Sequence, residues 1–386
     1  MVWLKRIFIA LAVIVVLLII GLKISGNGHI LTGITKTYLI GKSKPDIDDL
    51  SGSCVRIIPA DRPEPWPLSK RYGLDQMPAE YVQQVDSFET TALLVFRDDS
   101  LLYERYWDDY SDTTHSNSFS MAKSFTAMCI GKAIDDGYIK SVDQQVGDFI
   151  PEFKEGMASA LTIKHLLQMV SGIPYGESYS KPFGYMARAY YGDDLWSETM
   201  KYSVQQEPGT VWSYEGGNTV LLGEIIKRAT GRTPSEYFFQ KFWSCIGAEH
   251  KAYWSIDHEG GRERTFSGFY ATARDFARIG KLYEHQGVWG NDTLLSPEYV
   301  RASLTPCEVP DVKGENTLWY GYQWWLGTHE EVPFFSCRGM RGQYIIVVPD
   351  QHLIVVRLGH KQSKDRENHM PPDLLMYLKI AKEIAN

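Results

Sequence analysis

The chain has 386 residues, of which 44% are hydrophobic, 13% aromatic and 23% charged. This is the composition of a globular protein with a sizeable core, and it excludes a disordered, a collagen-like and a fully membrane-embedded chain. Lys and Arg number 40 against 47 Asp and Glu, a formal net charge of -7, so a nucleic-acid partner, which requires a basic surface, is not indicated. The five cysteines are dispersed without a CxxC pair, which supports neither a disulfide framework nor a structural zinc site.

The first element in chain order is an apolar segment at the N-terminus. Lys5 and Arg6 precede a run from Ile7 to Leu22 that contains no polar side chain, and this pattern directs a chain to the export machinery. Residues 21–26 offer no small-residue cleavage site. We therefore expect residues 1–24 to form an uncleaved signal anchor that crosses the cytoplasmic (inner) membrane once, with the rest of the chain on the extracytoplasmic, periplasmic side. A cleaved signal peptide is the alternative.

Residues 25–85 are rich in Gly, Pro and Ser, as in the Pro-containing stretch 62–67. Such composition predicts a stalk and wrapping segment with little regular structure. The globular domain is then expected over residues 86–386.

Strand patterns occur at both ends of this domain. Thr91 to Phe96 and Leu101 to Trp107 predict a hairpin around Asp98-Asp99. Three further strands are predicted near the C-terminus, at Tyr322 to Leu326, Gln343 to Val348 and Leu353 to Leu358. Helical periodicity lies between the two groups, at 121–136, 162–169, 218–230, 234–243 and 273–285. This order of strands and helices along the chain predicts an α+β fold, in which helices flank an antiparallel sheet built from both chain ends. An inserted helical subdomain is predicted at about 151–260.

The helix that begins near Met121 carries a lysine in an unexpected place. Its residues are apolar on nearly every face, which predicts a buried helix, and an ammonium group is costly to bury without a partner. Ser120 lies three residues before Lys123, close enough on a helix for the amine to reach the hydroxyl. A desolvated lysine is a partner that activates a hydroxyl nucleophile, although the spacing alone also fits a capping serine and a lysine that reaches solvent.

A second S-x-x-K spacing occurs at Ser178 to Lys181. It lies between Pro174 and Pro182, where a helix is not expected and the two side chains would not be aligned. We predict a surface loop there.

The sequence around Ser120 resembles that of the penicillin-recognising serine hydrolases, whose first motif is S-x-x-K. The matching stretches follow in that superfamily's order, and they are Leu161-Thr162-Ile163-Lys164-His165, Ser171-Gly172-Ile173, Glu207-Pro208-Gly209, Tyr214, Ala271-Thr272-Ala273-Arg274-Asp275, Tyr320-Gly321-Tyr322-Gln323-Trp324-Trp325 and Gly339-Met340-Arg341-Gly342-Gln343. The resemblance is to the class C β-lactamase-related branch, and within it to 6-aminohexanoate-dimer hydrolase and family VIII-type esterases. It implies a β-lactamase/transpeptidase-like fold.

Carried over to this chain, the resemblance implies Ser120 as nucleophile, Lys123 as its base partner and Tyr214 as the proton relay to the leaving group. It implies an oxyanion hole from the backbone N–H groups of Ser120 and Met340, because the developing charge needs fixed donors. Substrate contacts are expected from Gly339, Gly216, Arg338 and Trp324.

Two motifs depart from the superfamily pattern. The usual Tyr-x-Asn reads Tyr214-Glu215-Gly216, so the amide that touches an acylamide substrate is missing. The usual Lys-Thr-Gly or His-x-Gly reads Cys337-Arg338-Gly339, so the cation that holds a β-lactam carboxylate is not in its place. Arg338 or Arg341 is a candidate replacement, and the favoured alternative is that each is a solvated or structural arginine. These departures favour hydrolysis of a linear amide or ester over β-lactam hydrolysis.

The leading hypothesis is a membrane-anchored serine hydrolase that cleaves a small amide, ester or peptide through an acyl-enzyme. No metal or nucleotide motif is present, and no cofactor is implied. The alternatives are a β-lactamase or D-alanyl-D-alanine peptidase and, in a different class, a degenerate envelope protein that binds without catalysis.

Overall fold

The computed structural model describes residues 2–367 and 369–386 of the chain. Its helices α1 to α12 have the bounds Val2–Ile24, Gly28–Lys36, Ala79–Ser87, Ala122–Asp135, Ile163–Leu167, Tyr185–Tyr191, Leu195–Thr199, Gly216–Thr230, Pro234–Phe238, Ala273–Glu284, Pro297–Ser303 and Pro372–Ala385. Its strands β1 to β12 have the bounds Val55–Ile58, Thr90–Arg97, Ser100–Tyr106, Ser116–Asn117, Ala252–Ser255, Phe269–Ala271, Val288–Trp289, Asp292–Thr293, Trp325–His329, Val332–Gly339, Gln343–Val348 and Leu353–Gly359.

The main sheet has six antiparallel strands in the order β3-β2-β12-β11-β10-β9. Its central strands are buried on both faces because α10 packs on one face and α12 on the other. Strands from residues 90–106 thus pair with strands from residues 325–359. The predicted α+β architecture, with an antiparallel sheet built from both chain ends, is confirmed.

A smaller sheet of order β1-β5-β6-β4 contributes residues such as Ile58, Trp254 and Phe269 to the molecule's larger core cluster. Its last strand, β4, leads directly into α4, whose residues are almost all buried. Residues 151–251, all of them described, contribute five α-helices and no strand to either sheet. Helices α8 and α9 of this stretch pack against α4, and α9 also packs against β1 of the second sheet.

The segment that follows the N-terminal helix is more regular than its composition predicts. Helix α2 packs against α6, and the side chain of Arg188 donates to the Gly26 carbonyl and to Asn27 Oδ1 at 3.2 and 2.6 Å. Further along, Trp66 is buried against Phe96 and donates from its indole to the Arg274 carbonyl at 3.0 Å. The expectation of little regular structure is thus wrong for 28–36, 55–58 and 79–87, where burial against the globular body orders the backbone.

Helix α1 is the one helix among the described residues that is long and apolar enough to cross a membrane. Its 23 residues span about 35 Å at 1.5 Å per residue. None of its residues is buried against the rest of the protein. Met1, the first residue of the predicted anchor, lies outside the described residues.

Candidate active site

Ser120 lies at the junction of β4 and α4, in a single 3-10 turn formed by Phe119–Met121. Phe119 adopts a left-handed backbone conformation, with φ of 45°, which a bulky residue rarely adopts without strain. The buried side chain of Asn117 stabilises this turn by accepting the Phe119 N–H at 2.9 Å. The strain and its compensation hold the Ser120 hydroxyl at the start of a rigid helix.

The Lys123 side chain is buried beneath Ser120. Only 1% of the residue is exposed, and its amine donates to Ser120 Oγ at 3.0 Å and to the Phe266 carbonyl at 3.1 Å. No carboxylate in the described part of the chain forms an ion pair with it. The Lys123 amine therefore donates its hydrogen bonds to the Ser120 hydroxyl and to one carbonyl. This differs from a structural lysine, which is usually buried in an ion pair.

Tyr214 lies in the loop before α8. This loop is held to the chain near α5, because the Ser213 N–H donates to the Met169 carbonyl at 2.9 Å. The Lys123 amine faces its ring, 4.8 Å from the centroid. On its other side the ring packs against Trp325, with centroids 5.5 Å apart. The structure therefore brings Ser120, Lys123 and Tyr214 together, with the amine between the hydroxyl and the aromatic ring.

The strand β10 passes beside the Ser120 turn. A Cβ built on Gly339 would lie 2.2 Å from the Ser118 carbonyl oxygen, so this position admits only glycine. Met340 follows directly, and its N–H makes no hydrogen bond to another described residue. Gly339 thus lets β10 approach the Ser118 carbonyl beside the Ser120 turn, and Met340 is the next residue in the chain.

Arg338 is engaged in packing rather than free in the cleft. It is 8% exposed, donates to Ser336 Oγ and the His369 carbonyl at 3.0 and 3.1 Å, and lies over the Trp325 ring. Arg341 donates to the carbonyls of Pro45 and His360 at 2.8 and 3.0 Å. Both arginines therefore hold neighbouring chain segments in place.

Trp324 does not lie at the site, contrary to the sequence prediction. Its ring is fully buried in the core against Tyr283, with centroids 4.1 Å apart. The neighbouring Trp325 is half-buried and contacts Tyr214. The aromatic contact with the site was therefore assigned one residue too early.

A carboxylate pair near Gly216 was missed by the sequence analysis. Glu177 Oε2 accepts the Gly216 N–H at 2.7 Å, and its other oxygen accepts the Tyr179 hydroxyl. Glu215 is 6% exposed and accepts from Ser213 Oγ at 3.1 Å. Burial, and then the charge of Glu177, raise the pKa of Glu215 to about 7.

Tyr179 belongs to the predicted surface loop 178–181, and 60% of its side chain is exposed. Its hydroxyl donates to Glu177 Oε1. Desolvation and the nearby Glu177 carboxylate raise the pKa of Tyr179 well above its usual value, whereas a contact with the Ser120 hydroxyl acts in the opposite direction. The sequence carried no signal for either residue, because the positions of Glu177 and Tyr179 depend on the path of a long loop.

The turn at Ser120, the buried Lys123 beneath it and the two-sided antiparallel sheet behind them define a serine hydrolase of the β-lactamase type. The chain belongs to the Beta-lactamase family, whose family model matches residues 79–375. The resemblance inferred from the sequence motifs is thereby confirmed.

Three relatives illustrate the range of the family. The 6-aminohexanoate-dimer hydrolase of Paenarthrobacter ureafaciens is 26% identical over 300 residues, which cover 73% of this chain and 76% of that protein. A solved structure named "Putative 6-aminohexanoate-dimer hydrolase from Bacillus anthracis" has a TM-score of 0.68 at 22% identity, over 86% of this chain and 90% of that one. A family VIII carboxylesterase has a TM-score of 0.61 at 18% identity, over 80% of this chain and 98% of that one.

Proposed function

We propose that this protein is a membrane-anchored, extracytoplasmic serine hydrolase that cleaves a linear amide or ester through an acyl-enzyme on Ser120. The observation that carries the proposal is the 3.0 Å contact between the buried Lys123 amine and the Ser120 hydroxyl. Such a contact has a direct chemical use, because an unpaired buried amine can accept the proton of the attacking hydroxyl.

The proposed reaction assigns one role to each of these groups. Ser120 Oγ attacks the substrate carbonyl carbon while Lys123 receives the hydroxyl proton. Tyr214, beside the amine, passes a proton to the departing nitrogen or oxygen, and the Ser120 and Met340 N–H groups stabilise the negative charge on the carbonyl oxygen. Water then attacks the acyl-enzyme and gives its proton to Tyr214, Lys123 returns a proton to Ser120 Oγ as the acyl–oxygen bond breaks, and the acid is released.

A linear substrate is favoured over a β-lactam by the engagement of both candidate arginines. Arg338 and Arg341 donate to carbonyls and side chains of the chain itself, so neither offers a free cation for a β-lactam carboxylate. We therefore expect turnover of short amides or p-nitrophenyl esters and little turnover of nitrocefin.

Anchoring rests on α1, which is apolar, about as long as a membrane is thick and without contacts to the core. The positive flank at Lys5 and Arg6 favours the catalytic domain on the extracytoplasmic side. N-terminal sequencing of the mature protein distinguishes an anchor, which retains residues 2–24, from a cleaved signal peptide.

Labelling with a fluorophosphonate probe, followed by mass-spectrometric mapping, tests the proposal. The expected result is one labelled peptide that contains Ser120, with labelling abolished in Ser120→Ala and strongly slowed in Lys123→Ala and Tyr214→Phe. Absence of labelling in the folded wild-type protein, with retention of ligand binding in Ser120→Ala, would instead support a binding protein.

A further inference from the structure

The chain joins the globular body within a few residues of the end of α1. Ile24 is the last residue of α1, and α2 begins at Gly28. Because α1 is about 35 Å long and the hydrocarbon core of a bilayer is roughly 30 Å thick, Ile24 lies at the bilayer surface when α1 spans the membrane. His29, the second residue of α2, is already buried. The body therefore begins at the bilayer surface and not at the end of a flexible stalk.

A single arginine of α6 connects the end of α1 to a loop of the body. The Arg188 guanidinium donates from Nη1 to the Gly26 carbonyl and from Nε to the Phe183 carbonyl, each at 3.2 Å. Because the guanidinium is planar and rigid, these two carbonyl oxygens are no more than about 9 Å apart. His29 makes a second connection to this loop, since its ring contacts the Pro182 carbonyl at 2.9 Å. The loop is thus held beside the point where the chain leaves the membrane.

The part of the loop held there exposes an aromatic ring next to a lysine. Phe183 is 59% exposed, and the edge contact with its ring comes from His29, with centroids 6.4 Å apart. Lys181 and Pro182 are also exposed. Single exposed apolar residues are common on protein surfaces, but an aromatic ring and a lysine beside a membrane span are typical of a segment that lies in the membrane interface.

We propose that residues Lys181 to Phe183 form a second membrane contact, in which the Phe183 ring enters the lipid headgroup layer beside α1 and the Lys181 ammonium group faces lipid phosphate. The inference rests on the anchoring in the proposed function, because α1 brings this loop to the bilayer. One ring and one lysine bind a membrane too weakly to retain the protein without α1. The effect of the contact is to fix the orientation of the body.

Helix α6 transmits this orientation to the catalytic residues. Met186 lies two residues before Arg188, and a Cβ built on Gly216 would lie 3.4 Å from its sulfur. Gly216 in turn follows Tyr214 by two residues, at the start of α8. The short helix that binds the end of the anchor therefore also packs against the chain that carries Tyr214. The second membrane contact would thus hold the catalytic residues in one orientation relative to the bilayer.

Photocrosslinking of the full chain in lipid vesicles tests the contact. The photoreactive residue p-benzoylphenylalanine replaces Phe183 in one protein, Leu11 of α1 in a second and Leu74 in a third. Each protein is reconstituted into vesicles of phosphatidylcholine and phosphatidylglycerol. Leu74 is the matched control, because it is 73% exposed and lies near Arg71, which donates to the Ala385 carbonyl at the end of α12. This places it across the main sheet from the core cluster that contains α6.

After irradiation and peptide mass spectrometry, we expect lipid adducts at positions 183 and 11 and none at position 74. An adduct at 11 without one at 183, an adduct at 74 as abundant as that at 183, or a crosslink from 183 to a second protein chain would overturn the inference and leave the anchor intact. Absence of an adduct at 11 would contradict the anchoring itself, and the inference with it. Thermal unfolding of each protein confirms that the substitution leaves the fold intact.

Discussion

Two hydrogen bonds and one aromatic ring fix the position of the Lys123 amine. It touches the Ser120 hydroxyl, the Phe266 carbonyl and the ring of Tyr214. Among the described residues, Lys123 is the one basic side chain hydrogen-bonded to Ser120 Oγ. The proton transfer is therefore expected to depend on this one side chain.

Replacement of Lys123 by alanine should lower kcat/KM for a p-nitrophenyl ester by roughly 100- to 10,000-fold, the usual contribution of a general base. Steady-state kinetics at neutral pH measures the change. Lys181→Ala is the matched control, because it removes the exposed lysine of the second S-x-x-K spacing and should leave the rate unchanged. A Lys123→Ala enzyme with wild-type activity would contradict the assigned role.

Glu215 gives the molecule a specific dependence of stability on pH. Its pKa is raised from 4.5 to about 7 by burial and by Glu177, so between these values the folded state binds more protons than the unfolded chain. The free energy of unfolding must then fall as the pH rises through this window. The change amounts to about 3 kcal/mol over the full shift.

We expect Glu215→Gln, which cannot ionise, to remove this fall. Urea unfolding at pH 5 and pH 8 measures it, and the variant should gain stability relative to the wild type at pH 8 but not at pH 5. An equal effect of the substitution at both pH values would show that Glu215 does not titrate in this range.

Single residues also show how far the site could be predicted from the sequence. The spacing of Ser120 and Lys123 in a buried helix left a capping serine as an equally good interpretation, and the ordered motifs of the resembled superfamily decided between the two. Trp324 and Trp325 could not be told apart, because adjacent aromatic residues on a chain of unknown register are equally good candidates. Glu177 was invisible because its position beside Gly216 depends on the path of a long loop.

Among the structural elements, the turn that leads into α4 orients the side chain of Ser120. Phe119 has φ of 45°, and its N–H is satisfied by Asn117. The amide of Asn117 also donates to the hydroxyls of Tyr190 and Tyr270, each at 3.2 Å. One buried amide thereby connects β4, α6 and β6 to the catalytic turn.

Asn117→Ala leaves the Phe119 N–H without its buried partner, which should cost about 1–3 kcal/mol of stability and release the strained turn. We expect a lower melting temperature together with a loss of acylation rate that persists well below that temperature. Asn291→Ala, in an exposed turn between β7 and β8, should change neither. Full acylation by a destabilised Asn117→Ala would show that the turn does not orient Ser120.

The contact between β10 and the catalytic turn depends on Gly339. A methyl group there would overlap the Ser118 carbonyl, and relief of such overpacking typically costs about 1–3 kcal/mol. Gly339→Ala should therefore destabilise the fold and displace the Met340 N–H, with a lower kcat and a smaller change in KM. Gly28→Ala is the control, since no atom lies within 4 Å of that Cβ. An unchanged kcat in Gly339→Ala would contradict the assigned oxyanion contact.

The strands near residues 90–106 and 343–359 were predicted from their alternation and turn signals, whereas β9 was predicted three residues too early. The aromatic stretch 320–324 looks like a strand, but it forms a buried turn in which Gln323 adopts φ of 62° and bonds through its side chain to Thr219 and Leu166. A tertiary contact of this kind overrides local pattern. Several of the matched motifs are likewise structural, as with Thr272, which caps α10 by accepting the Asp275 N–H.

The whole molecule is an apolar N-terminal helix joined without a long linker to a globular hydrolase. Helix α2 begins four residues after α1 ends and packs on α6, and Arg188 holds the junction. The loop that carries Glu177 and Tyr179 leads into the same α6. The loop is also tied to α2, because His29 contacts the Pro182 carbonyl at 2.9 Å. The composition of residues 25–85 could not reveal this docking, because packing partners 150 residues away are not visible in local composition.

Removal of residues 2–24 should release the protein from the membrane without loss of hydrolysis, because α1 buries no residue against the body. Fractionation after alkaline carbonate extraction measures this, with the full chain expected in the membrane pellet and the shortened chain in the supernatant. Recovery of both proteins in the supernatant, with residues 2–24 still present by mass, would contradict the anchor.

The central claim is that Ser120 becomes covalently acylated during turnover with the help of Lys123. Rapid quenching of the wild-type protein with a p-nitrophenyl ester, followed by intact-protein and peptide mass spectrometry, measures this directly. We expect a transient mass increase equal to one acyl group, located on Ser120 and much slower to form in Lys123→Ala. Turnover without any adduct, an adduct on a different residue, or undiminished turnover in Ser120→Ala would contradict the account.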